Sequence, residues 1–102
     1  MWGEYWPKLQ NVLAKRTLVR NWTKDSGEIG DSFAAISTHN SVRVELPRGG
    51  VRNIYFGEIE AMYRLWEGYL SGRTRRSRIA TAHGLVNSKY IISILHQFQH
   101  LM

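Results

Sequence analysis

Four arginines, Arg73, Arg75, Arg76 and Arg78, fall within six residues. A guanidinium keeps its charge at any physiological pH, and its planar fork meets phosphate oxygens two at a time. Lys89 follows, and residues 68–102 contain no Asp or Glu. The rest of the chain is nearly balanced, with nine basic and eight acidic side chains over residues 1–67. The net charge of +6 therefore gathers almost wholly in the last third. A one-sided basic segment suits a polyanion: DNA, RNA or an anionic membrane surface. A merely solvated, solubilising face has the same composition.

A second set of polar residues follows the arginines. Lys89, Ser93, Gln97 and His100 recur at steps of four, four and three. On a helix they form one stripe, which is what a helix lying in a groove presents. With Ser88, they supply donors and acceptors for base edges in a major groove. The predicted nucleic-acid-binding set is Arg73, Arg75, Arg76 and Arg78 on phosphates, and Ser88, Lys89, Ser93 and Gln97 at the groove.

Other chemistries find less support. The chain has no cysteine, which excludes disulfides, thiol nucleophiles and Cys-based zinc sites. His96 and His100 have a metal-binding spacing, but no carboxylate in residues 68–102 completes a site. Gly49-Gly50 is too short to cradle a phosphate and precedes a strand rather than a helix. Asp25, Glu28 and Asp31 miss the calcium-loop spacing. Glu45 has no matching Asp and Lys for a nuclease centre. Serine, histidine and acid occur without a nucleophile elbow. The expectation is a protein that is not an enzyme, with no metal and no cofactor. Trp22, Tyr55 and Phe56 beside Arg20, Arg43 and Arg52 could form a base-stacking sheet face. Packing of those aromatics against helices is the simpler reading.

These residues need elements to hold them. At 102 residues, 43% of them hydrophobic, the chain suits one domain over 1–102. No apolar run reaches the ~20 residues of a membrane span. The start, MWGEYWPKLQ, does not read as a secretion signal, so a cytoplasmic location is expected. Residues 6–16 predict a helix with Pro7 in its first turn. Thr17–Thr23, Phe33–Ser37, Val42–Leu46 and Val51–Phe56 predict an antiparallel meander of three or four strands. Its firmest part is the hairpin 42–56, where Val42, Val44 and Leu46 alternate with Arg43 and Glu45. Residues 57–70 predict a helix with Ile59, Met62, Tyr63, Trp66, Tyr69 and Leu70 on one stripe, stopped by Ser71-Gly72. This helix is expected to cover the sheet. A helix over 74–83, with Thr74 as a possible cap, and one from Asn87 or Ser88 to 101 complete an α+β fold. The last helix, apolar at Ile91, Ile92, Ile94, Leu95 and Phe98, is a candidate dimer contact.

Ile79-Ala80-x-x-x-Gly84-Leu85, then Asn87 and Ile91, resembles the helix-turn-helix motif. Gly84 allows a tight turn, Leu85 plugs the angle between helices, and Asn87 opens the second helix. The usual buried aliphatic position is Tyr90 here, with Ile91 one residue late, so the turn must be longer by one. Tyr63, Trp66, Tyr69, Gly72, Arg76, Ser77 and Ile79, followed by Asn87-Ser88-x-Tyr90-Ile91-Ile92-Ser93-Ile94-Leu95, resemble the DNA-binding modules of restriction-endonuclease-like proteins. That resemblance covers about a third of the chain and implies contact with duplex DNA, not cleavage. The overall character is similar to small orphan proteins carried on integron gene cassettes, which implies a compact, oligomeric, mobile-element protein. Two functions stay open: a non-enzymatic DNA-binding module, or a small oligomeric structural or interaction protein. A small-molecule domain is a third reading, and would need a deep cleft. The row at 89, 93, 97 and 100 separates the first two. It should face solvent in a DNA binder and be partly buried between subunits in an oligomer.

Overall fold

Helical spacing of apolar residues and strand alternation build two sides of the molecule. The protein is described by a computed structural model over residues 1–83 and 87–102. Helix α1 spans Trp2–Val12. Strands β1 (Thr17–Val19), β2 (Trp22–Thr23), β3 (Gly27–Glu28), β4 (Phe33–Ser37), β5 (Ser41–Glu45) and β6 (Val51–Tyr55) follow. Helices α2 (Phe56–Leu70), α3 (Arg76–His83) and α4 (Ser88–Gln97) come next, with a final 3-10 turn at Gln99–Leu101. The fold is α+β, as its patterning predicts.

The main sheet is antiparallel, in the order β1-β4-β5-β6, and β2-β3 form a separate two-stranded ribbon between β1 and β4. The hairpin β5–β6 pairs Val42 with Ile54 and Val44 with Arg52. This register puts Val42, Val44 and Ile54 into the core, and all three are fully buried. The opposite face carries Leu18, Arg43, Val51, Asn53 and Tyr55, all exposed. Thr17–Thr23 is therefore not one strand. The chain leaves β4 after Val19 and pairs Trp22 with Glu28 instead.

Four expectations change. Helix α1 begins at Trp2, so Pro7 lies inside it rather than in its first turn. A mid-helix proline forfeits one backbone bond. The gain is an aromatic cluster on α2: Tyr5 stacks on Tyr63 at 5.1 Å and Trp2 meets Tyr63 at 5.4 Å between centroids. Second, α4 rather than α2 is the central helix. Seven of its ten residues are buried, and it packs on α2, β1 and β2. Third, the apolar arc of α4 is no free dimer contact, because Ile91, Ile92, Ile94 and Leu95 are fully buried within the chain's own core. The last helix also ends earlier than 101, at Gln97.

The stop after α2 behaves as read. Gly72 takes φ +81° two residues beyond the helix, after the Ser71 cap. The Lys24 ammonium lies beside this turn, 3.4 Å from where a Cβ on Gly72 would stand. The turn that redirects the chain thereby seats a β2–β3 cation against the arginine segment.

Candidate nucleic-acid interface

Residues 71–78 form the link from α2 into α3. Thr74 N–H donates to the Gly68 carbonyl at 3.1 Å, and Arg73 Nε donates to Ser71 Oγ at 3.0 Å. Thr74 is thus tied back to α2, and α3 starts after Arg75 rather than at a Thr74 cap. Ile79 is buried and anchors α3 to the body. Arg73, Arg75, Arg76 and Arg78 all remain exposed. Among the described residues none of the four pairs with a carboxylate. The ion pairs present there use Arg16, Arg20 and Arg64.

The predicted groove-reading row has a different placement. Ser88 and Ser93 are buried. Ser93 Oγ accepts from Trp22 N–H at 3.0 Å and donates to the Lys89 carbonyl at 3.0 Å. Gln97 accepts from Arg20 N–H and donates to the Leu18 carbonyl, both at 3.0 Å. These side chains satisfy the backbone of β1, β2 and their connection, where the chain leaves the main sheet and its N–H and C=O groups need new partners. At Ser93 and Gln97 the row is bonded to the chain's own backbone, with Ser93 buried and Gln97 half-buried. Only Lys89 and His100 of the stripe are exposed. Lys89 stands over the Tyr90 ring, its ammonium 4.9 Å from the centroid.

Asn87 precedes α4 as read, but its side chain does not cap the helix. It accepts from Arg52 at 3.5 Å and donates to Glu58 at 3.4 Å, joining β6 to α2. The turn residues Gly84 and Leu85 of the helix-turn-helix resemblance lie outside the described residues. The two histidines do not share a centre: His96 stacks flat on Trp22 at 3.8 Å, while His100 leans toward Phe98. Burial against Trp22 holds the His96 imidazole below its ordinary range, with the Glu28 carboxylate acting weakly the other way. Among the described residues no three His, Asp or Glu side chains gather as a metal site.

Sequence reasoning missed the relief around Lys89 and Arg76. A shallow cleft of about 310 Å³ lies between the β2–β3 ribbon and the helices, walled by Trp22, Ile29, Arg76 and Lys89. Arg76 also walls a second cleft, of about 320 Å³, with Lys24, Asp25 and Arg75. Lys89 also walls a third, of about 250 Å³, with Asp31, Arg48 and Tyr90. Lys24 and Arg48 are remote from the arginine cluster in the chain, so no local pattern announces the grouping. Trp22, read as a packing residue, has its stacking partner in His96 and still forms a cleft wall.

The chain matches no protein-family model, no curated protein and no solved structure.

Proposed function

We propose that the protein is a non-enzymatic DNA-binding module that holds a duplex by its phosphates. The contact surface is α3 with the segment before it. One observation carries this reading: Arg73, Arg75, Arg76 and Arg78 are exposed together, without carboxylate partners among the described residues. Unpaired guanidiniums on one short segment release counterions when they meet a phosphate backbone. The inward turn of Ser88, Ser93 and Gln97 leaves Lys89 as the one residue of the predicted reading set free to approach bases. Contacts of this kind position a protein on DNA but carry little sequence information. Such a role belongs in the cytoplasm, where the protein would meet DNA.

Anisotropy of a labelled random-sequence duplex, at low and near-physiological salt, tests the reading. Micromolar binding with a steep log–log salt slope is the expected result. Lack of binding at low salt would reduce the arginines to a solvated face.

The outer sheet face favours a second reading, a small homo-oligomer. Leu18, Val51 and Tyr55 are 63%, 48% and 56% exposed on it. Sedimentation equilibrium checks this. A monomer at all concentrations would remove it.

A further inference from the structure

The three clefts around Arg76 and Lys89 share walls. Arg76 belongs to the first and second, and both Asn21 and Lys89 belong to the first and third. They therefore adjoin in a row beside the β2–β3 ribbon, and this row is the trough. Its cations are Lys24, Arg75, Arg76, Lys89 and Arg48. Its carboxylates are Asp25 and Asp31, one in each outer cleft. Trp22 walls the middle and Tyr90 one end.

Each cleft alone is at or below the low end of the ~300–1,000 Å³ range of small-molecule pockets. A compact ligand would fill one and leave the cations of the others unused. A linear polyanion uses them all. Duplex DNA is a thick convex rod with its phosphates outside, so it rests on ridges such as Arg73 and Arg78 rather than entering a trough. A single strand is thin enough to enter, and it brings both phosphates and bases. Basic grooves with aromatic walls are the usual way to hold one without sequence preference.

We infer that this trough binds a single strand of nucleic acid, its backbone following Lys24, Arg76, Lys89 and Arg48 with bases against Trp22 and Tyr90. This rests on the reading that the protein holds a phosphate backbone, and adds which form of nucleic acid the concave face takes. Arg73 and Arg78 form no wall of these clefts, so ridge and trough can be mutated separately.

The experiment compares labelled oligothymidine with a duplex of equal length, across a salt series. It uses the full chain and two variants. Arg76→Ala with Lys89→Ala empties the trough, and Arg73→Ala with Arg78→Ala strips the ridge. All four side chains are exposed, and melting curves confirm that the variants fold. The expected result is tighter binding of the single strand by the parent chain. The trough variant then loses about 1.4 from the single-strand salt slope, two contacts at ~0.7 each. The ridge variant keeps that slope. Equal or tighter duplex binding, or a single-strand slope that the trough variant leaves unchanged, would overturn the trough and leave the DNA-binding reading standing. Failure of both nucleic acids to bind at low salt would overturn both.

Discussion

Helices α3 and α4 follow one another in the chain and carry the two halves of the helix-turn-helix resemblance, yet the body of the protein treats them differently. Helix α4 buries seven of its ten residues and bonds to β1 and β2 through Ser93 and Gln97. Helix α3 is held by Ile79 and shows Arg76 and Arg78 to solvent. A polar stripe on an apolar helix is thus no guide to what that helix meets. Serine and glutamine serve a neighbouring backbone as well as they serve a base edge. Arginines bonded to no carboxylate have no such internal use, and these stay outside.

The largest effect that sharpens this contrast is on stability. Ile94→Ala, at a fully buried position of α4, should cost about 2–5 kcal/mol by cavity formation. Urea denaturation reads it, and a loss below about 1 kcal/mol would mean α4 is not the core helix. Ser93→Ala comes next. It strands the Trp22 N–H inside the protein and should cost about 1–3 kcal/mol. If DNA binding fell while stability held, Ser93 would be a reading residue after all.

Smaller effects follow pH. The unfolded chain binds a proton at an ordinary histidine pKa of about 6.5, whereas folded His96 resists protonation until lower pH. Stability tied to His96 is therefore complete above that value and declines as pH falls through and below it. His96→Gln should flatten this part of the melting-temperature profile, and an unchanged profile would contradict the assignment. Glu45 acts lower on the scale. The Arg16 guanidinium, bonded at 2.6 Å, holds its carboxyl below the usual carboxylate range. Its contribution is present at neutral pH and disappears as acid protonates it. Arg16→Ala should remove that small acid-side dependence.

The hairpin 42–56 and the helix 57–70 were legible because each obeys a single period with one wet face. Val42 opposite Ile54 and the stripe Ile59–Met62–Trp66–Tyr69 follow directly from that. The start of α1 was hidden by Pro7, since the compensating stack of Trp2 and Tyr5 on Tyr63 lies 58 or more residues away in sequence. The exposed arginines were legible from charge alone. The inward turn of Ser93 and Gln97 was not. It depends on β1 and β2 parting company after Val19, a tertiary event with no local signature. For the same reason Lys24 and Arg48 could not be grouped with Arg76 and Lys89 before the ribbon was seen to fold over α4.

One variant separates the two helices most directly: Arg75→Ala, Arg76→Ala and Arg78→Ala together, measured for both stability and the salt dependence of duplex binding. Exposed and without carboxylate partners among the described residues, these side chains should leave unfolding free energy within about 0.5 kcal/mol of the parent. The log–log salt slope should flatten by about 2.7, three contacts at ~0.9 each. An unchanged slope, or a parent chain that does not bind duplex DNA at low salt, would contradict the assignment of DNA contact to the arginine segment.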